Sequence, residues 1–258
     1  MQSSPSLPPR LKIRGLNKSF GGIVVADDID LDMPAGRILG LIGPNGAGKT
    51  SLFNLVSGVF PPDSGSVTLD GTSLEGLALH ERVRLGLSRT WQHVRLFPSL
   101  SVIDNLVIGA RDYPGERIIS VLLRPASVRA ASDAAAQKGR AILERMRLGD
   151  VADKAIGDLP YGQQKLVGVA RALMNDARCL LLDEPMAGVE GQAYETMQRV
   201  VREVAAQGVA VCVVEHNVAF VRDLCDDAVF MFQGKILARG TVQDLTANPQ
   251  LTELYFGH

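Results

Sequence analysis

Residues 24–33 read V-V-A-D-D-I-D-L-D-M, with Ile29, Leu31 and Met33 alternating against Asp28, Asp30 and Asp32. A period of two puts one face of a strand in a core and the other in water. Residues 11–20 alternate more loosely and stop at Gly21-Gly22, so the two stretches predict an antiparallel β region. Pro34-Ala35-Gly36 turns the chain into 38–42, an uninterrupted apolar run of strand length. Such a run fits a strand buried on both faces. A glycine-rich loop follows, then a segment whose Leu52, Phe53, Leu55 and Val56 fit one face of a helix. After the break at 61–65, a short strand over 66–69 ends at Asp70-Gly71.

From 80 to 158 the texture changes. Ser101 to Asp104 is the S-x-x-D helix start. The alanine-rich stretch 128–148 sets Ile142, Leu143, Met146 and Leu148 on one helical face. Tyr113-Pro114-Gly115 and Arg124-Pro125 break this span into pieces. Beyond Leu159 the order becomes helix (163–175), strand (179–182), helix (192–207, with Tyr194, Met197, Val201 and Val204 on one face) and strand (209–214). A turn at Gln233-Gly234-Lys235 joins two last short strands, and 241–258 reads as a helical tail. Strand-helix-strand repetition predicts a parallel sheet covered on both faces. The expected fold is therefore an α/β core with an antiparallel β region, over 11–79 and 159–258, carrying a helical insertion at 80–158.

Composition narrows the classes. The 258 residues are 46% apolar, and a net charge of −1 excludes a strongly basic footprint for nonspecific nucleic-acid binding. Cys179, Cys212 and Cys225 have neither CxxC nor Cys/His spacing, so they read as reduced residues of the interior. The Ser- and Pro-rich start, 1–10, lacks an apolar core and is expected to be a disordered leader, not a signal peptide, which implies a cytoplasmic protein. The apolar runs 209–214 and 228–232 fall well below the ~18–20 residues of a membrane helix. Work at a membrane would go through partners. The apolar 118–123 reads equally as a docking surface or as packing within the insertion.

The chemistry concentrates in two places. Gly43 to Thr50 spells G-x-x-x-x-G-K-T between a buried strand and a helix. Gly43, Gly46 and Gly48 let the backbone point its N–H groups inward, so a nucleoside triphosphate can rest on amides at the positive end of a helix. Lys49 would reach the β- and γ-phosphates and Thr50 would offer a hydroxyl to Mg²⁺. The binding segment is assigned to Gly43, Pro44, Asn45, Gly46, Ala47, Gly48, Lys49, Thr50 and Ser51. The second place is Leu180-Leu181-Leu182-Asp183-Glu184, an apolar strand delivering two carboxylates at its C-terminal end. Side chains alternate along a strand, so the two acids should differ in task. Asp183 would hold Mg²⁺, directly or through water, and Glu184 would take the proton of an attacking water.

With both motifs in order, the chain from residue 11 onward resembles the ATP-binding cassette family, the ABC transporters, built on a RecA-like P-loop NTPase core. Leu159-Pro160-Tyr161-Gly162-Gln163-Gln164-Lys165 stands where that family carries its signature, usually L-S-G-G-Q. The resemblance implies that Gly162 and Gln163 approach the γ-phosphate bound to a second copy of the domain. It implies that Gln92, in Thr90-Trp91-Gln92-His93, contacts Mg²⁺ or the water, and that His216 touches the γ-phosphate. Phe20 resembles the aromatic that stacks on adenine, the alternative being a buried aromatic at a strand end. Ala187-Gly188-Val189-Glu190 takes the place of the loop crossing the dimer seam. The chain departs from the family at Pro160 and Tyr161, which replace the usual Ser and Gly, and at Glu190, which replaces Asp.

The Tyr-Gly-Gln-Gln signature, the segment 89–97 and the tail with Asn248-Pro249 and Tyr255-Phe256-Gly257 resemble the ATPase subunits of branched-chain amino acid importers. That implies ATP and Mg²⁺ as cofactors, two membrane permease subunits, a second ATPase subunit, identical or similar, and an extracytoplasmic solute-binding protein as indirect partner. It also implies a place on the inner face of the cell membrane and no nucleic-acid partner. Importers of amides or urea, and soluble cassette ATPases outside transport, are the alternatives.

Overall fold

The strand predicted at residues 11–20 begins two residues earlier, at Pro9, and pairs antiparallel with β2 (Ile23–Pro34) as β1 (Pro9–Phe20). Arg10, read from the sequence as leader, belongs to the sheet because its guanidinium bridges the Gly208 carbonyl at 2.7 Å and Asp70 at 3.0 Å. These features come from a computed structural model, which describes residues 9–92, 95–111 and 125–256. The remainder of the leader, His93, Val94, the break at 113–115, the apolar run 118–123 and Gly257 lie outside the described residues.

β1 joins β4 (Ser64–Leu69) on its other edge, and β5 (Thr72–Ser73) completes a four-stranded antiparallel sheet in the order β2-β1-β4-β5. On β2, Ile29, Leu31 and Met33 are all at most 4% exposed, as their alternation predicts. Burying each contributes about 1.5–3 kcal/mol, whereas a register slip by one residue would turn the three aspartates inward. The register is therefore set by the alternation.

The second sheet has six strands in the order β10-β9-β3-β8-β7-β6. β3 (Ile38–Ile42) lies between β9 (Asp227–Phe232) and β8 (Ala210–Val214), β8 pairs with β7 (Cys179–Asp183), and β7 with β6 (Leu87–Arg89), all parallel. Only β10 (Lys235–Gly240) runs antiparallel. β3, β7 and β8 are buried at every position. β6 has no counterpart in the sequence reading, because three residues are too short to show a period.

Helix α1 (Lys49–Ser57) packs Leu52, Phe53, Leu55 and Val56 into one cluster with Leu11, Ile13 and Ile29 of the antiparallel sheet and Leu39, Leu41 and Cys212 of the parallel one. Arg82, on α2 (Leu79–Arg84), donates to the Leu55 and Val56 carbonyls at 3.0 and 2.7 Å and so caps the end of α1. The other face of the parallel sheet meets α7 (Val218–Leu224), α8 (Val242–Ala247) and α9 (Pro249–Phe256) around Ile42, Val221, Phe230, Leu245 and Leu251. The tail expected as one helix is two, because Pro249 has no N–H to continue α8 and disfavours helical backbone at Asn248.

The remaining helices are α3 (Val102–Ile108), α4 (Pro125–Arg145), α5 (Tyr161–Leu173) and α6 (Gly191–Ala206). Ser101 caps α3 as its motif predicts, its hydroxyl accepting from the Asp104 N–H at 3.1 Å. Residues form two compact units, one holding the described residues up to Arg89, Arg178–Pro185 and those from Val201 on, the other the described residues of Thr90–Ala177 and Met186–Val200. No helix among the described residues is long and apolar enough to cross a membrane.

Candidate active site: a phosphate loop, two carboxylates and a histidine

The loop that leaves β3 is gripped on both sides. A Cβ on Gly43 (φ +154°) would stand 2.1 Å from the Met231 carbonyl oxygen, and one on Gly48 (φ +105°) 2.5 Å from that of Val25. Gly234 donates to the Ala47 carbonyl and Asp27 to that of Gly234, both at 2.9 Å, so the turn between β9 and β10 ties the loop to β2. The glycines at 43 and 48 thus serve close backbone approach as well as the turn. A Gly43→Ala substitution meets a carbonyl of a buried strand that cannot move aside. Overpacking and backbone strain each cost ~1–3 kcal/mol. The unfolding midpoint should fall by several degrees in calorimetry, and a variant melting with the wild type would show that the close approach is not real.

Helix α1 opens at Lys49 with Gly48 as its N-cap, so no side chain caps it, and its first turn carries no acid. Its first N–H groups therefore face the loop, at the positive end of the helix dipole. Lys49 is 6% exposed and its Nζ donates to the Gly43 and Pro44 carbonyls at 2.6 and 2.9 Å. Burial pushes its pKa down, while the charges of Glu184 and Asp183 oppose that shift. Thr50 is exposed and Ser51 half-buried. Asn45 and Gly46 are exposed at the crest of the loop, whereas Ala47 is buried beneath it.

At the end of β7 the two carboxylates part, because the chain leaves the strand at Glu184. Asp183, 1% exposed, accepts from Arg89 at 2.9 Å. The same guanidinium reaches Asn54 Oδ1 at 2.7 Å and Ser57 Oγ at 3.0 Å on α1, and lies over the Phe53 ring. Glu184 is held at φ +47°, a left-handed conformation unusual for a residue with a side chain, while its N–H bonds the Val214 carbonyl at 2.9 Å. Its Oε1 stands 2.8 Å from His216 Nε2, beyond the end of β8. Thr50 and Asp183 offer hard oxygen donors of the kind that Mg²⁺ takes. Among the described residues no cluster of three or more metal-binding side chains exists. That donor set fits an ion shared with substrate phosphates and not one caged by protein alone.

Phe20 ends β1 with its side chain 44% exposed, edge-on to Phe60 at 5.0 Å between centroids and with Lys18 Nζ 5.1 Å from its ring. The buried-aromatic alternative does not hold. The three cysteines are free thiols whose pKa values burial raises, to about 12 for Cys225, so they are inert at neutral pH.

The second unit assembles the other predicted residues among themselves. Helix α5 starts directly at Tyr161, two residues before its sequence estimate, because Pro160 is its N-cap and its carbonyl accepts from both Gln163 and Gln164. Tyr161 lies half-exposed against Gly188 of the seam loop, whose Cβ would touch the ring at 3.2 Å. Gly162 faces Ala193 and Val189. Lys165 Nζ sits 5.6 Å from the Tyr161 ring centroid and donates to the Gln92 carbonyl at 2.8 Å. Gln92, Tyr161, Gly162 and the seam loop are thus neighbours in this unit. Lys165 and Arg89 are residues to which sequence reasoning assigned no role; each acts through a tertiary contact that no local spacing announces.

The sequence profile of the ABC transporter family matches residues 26–187. The high-affinity branched-chain amino acid transport ATP-binding protein BraF of Pseudomonas aeruginosa is 32% identical over 96% of this chain and 98% of its own. The corresponding protein LivG of Salmonella typhimurium is 33% identical, with the same shares covered. A solved nucleotide-free ATP-binding cassette from an ABC transporter superposes with a TM-score of 0.85 at 29% identity, covering 97% of this chain and all of that one. Matches of that extent at that identity establish descent, and this chain belongs to the ABC transporter family.

Proposed function

We propose that the chain is the ATP-binding and hydrolysing subunit of an importer for branched-chain and related hydrophobic amino acids, working on the inner face of the cell membrane. The observation that carries the reading is Glu184 Oε1 at 2.8 Å from His216 Nε2, with the charge of Glu184 opposing the downward shift that burial gives the loop lysine Lys49. The cargo class rests on the similarity to BraF and LivG, both named as branched-chain amino acid transport ATP-binding proteins.

Lys49 and the first N–H groups of α1 bind the triphosphate, and Phe20 offers its exposed face to the adenine. Thr50 and Asp183 would hold Mg²⁺, which would supply positive charge to offset that of the triphosphate. Glu184 takes the proton of the attacking water as the water oxygen bonds to the γ-phosphorus and the bond to the ADP oxygen breaks. His216 orients Glu184 and faces the γ-phosphate. Gly162 with Gln163 of a second cassette, identical or similar, would close the site. Closure that ATP stabilises and hydrolysis releases would drive two membrane permease subunits, which receive the solute from a separate binding protein.

Lys49→Ala tests the loop. Removing a charge-assisted partner of the phosphates forfeits ~1.5–3 kcal/mol, so ATP affinity should fall about 10- to 100-fold in equilibrium binding. Unchanged affinity would remove Lys49 from the phosphate site. For the cargo, vesicles carrying the permease pair should take up labelled leucine only with wild-type chain and ATP; uptake of urea instead would reassign the substrate.

A further inference from the structure

We propose that Tyr255, in the C-terminal helix α9, positions His216 for its work on Glu184 and the γ-phosphate; this rests on the catalytic reading above. The Tyr255 hydroxyl donates to the main-chain carbonyl of His216 at 3.0 Å. That carbonyl belongs to the residue whose imidazole touches Glu184. On its other side the residue is fixed by Asn217, whose Oδ1 accepts from Phe220 N at 3.1 Å and caps α7. Before it, Glu215 is 4% exposed, and its carboxylate accepts from His216 N at 3.2 Å. The backbone at His216 is thus held from both neighbours and, through its carbonyl, from a helix 39 residues away in sequence.

The hydroxyl is itself well placed. Leu251 of α9 is 7% exposed in the cluster around Ile42 and Phe230, and the Tyr255 ring tilts against Phe230 at 6.3 Å between centroids. Thr252 Oγ1 donates to the Thr246 carbonyl at 3.0 Å and ties α9 to α8. Ile42 is the last residue of β3, so α9 rests on the strand that feeds the phosphate loop while its tyrosine holds the histidine. Burial and the nearby Glu215 carboxylate both push the phenol pKa up, so Tyr255 is a protonated donor at neutral pH. A geometry error of about 1 Å can cost ~100-fold in rate, which makes the aim of one imidazole worth fixing from a distant helix.

Tyr255→Phe keeps the ring that packs on Phe230 and removes only the donor. Losing one neutral hydrogen bond used for positioning should lower the kcat of ATP hydrolysis about 2- to 10-fold and leave the KM for ATP within ~2-fold, because the phosphate loop is untouched. The His216 imidazole resonances, assigned by their loss in His216→Ala, should shift in the NMR spectrum of Tyr255→Phe. On a His216→Ala background the same substitution should leave the residual rate unchanged. Wild-type kcat in Tyr255→Phe overturns the proposal, as does an equal loss in both backgrounds or an unmoved His216 resonance. Normal turnover in Glu184→Gln would sink the catalytic reading itself. A dead Glu184→Gln beside a fully active Tyr255→Phe would remove only the role of Tyr255.

Discussion

Replacing Glu184 with Gln should lower steady-state ATP turnover by about 10²- to 10⁴-fold, the range for losing a positioned general base. Binding should survive, because the amide has the size of the carboxyl it replaces and the phosphate loop is built from other residues. Affinity should rise if it changes at all. Glu184 is a negative charge near enough to Lys49 to oppose the fall in pKa that burial causes, and an anion there repels the incoming triphosphate. With hydrolysis blocked and ATP and Mg²⁺ supplied, two chains should remain closed on one another, so size exclusion should show a dimer that the wild type forms only transiently. Two measurements decide this: phosphate release under saturating ATP, and elution volume with and without nucleotide. Turnover within about twofold of wild type would take Glu184 out of the base role. A silent Glu184 beside a dead His216→Ala would transfer that role to the histidine, 2.8 Å away.

What the chain discloses by itself is whatever a short window can hold. Ile29, Leu31 and Met33 announce a strand through their own alternation, and the run from 38 to 42 followed by Gly43 to Thr50 announces strand, loop and helix in consecutive residues. Asp183 and Glu184 are legible for the same reason, as two acids closing an apolar strand. Arg89 is not. Its partners are Asp183, 94 residues away, and Asn54 and Ser57, 35 and 32 residues away, so nothing near it in sequence distinguishes it from a surface arginine. Tyr255 is hidden likewise, since the carbonyl it holds lies across the sheet order and not along the chain. The left-handed backbone of Glu184 is also invisible beforehand: Gly and Asn advertise that conformation, whereas glutamate adopts it only when its surroundings impose it. Local chemistry was readable, and the contacts that aim it were not.

Arg89→Ala should destabilise the protein by about 3–5 kcal/mol, the cost of breaking a buried ion pair from one side. The Asp183 side chain is 1% exposed and that of Arg89 5%, so water cannot replace the lost guanidinium. The loss extends past the carboxylate. Arg89 joins β6 to β7 through Asp183 and joins both to α1 through Asn54 and Ser57, and its guanidinium lies 5.6 Å from the centroid of the Phe53 ring. Lysine cannot substitute, because one ammonium cannot present the planar fork that meets all three oxygens. Urea unfolding of wild type, Arg89→Ala, Asp183→Asn and the double variant would give the coupling directly. The double variant should lose less than the two single losses together, since neither partner is then left charged and buried alone. A loss below about 1 kcal/mol in Arg89→Ala would mean that solvent reaches Asp183 when the arginine is gone. The same experiment bears on activity, because Asp183 is the carboxylate proposed for Mg²⁺. If Arg89 fixes its orientation, turnover in Arg89→Ala should fall under conditions where the variant is still fully folded, and raising Mg²⁺ should restore part of it. Recovery at high Mg²⁺ separates a misplaced metal ligand from a collapsed core, which no concentration of the ion would rebuild.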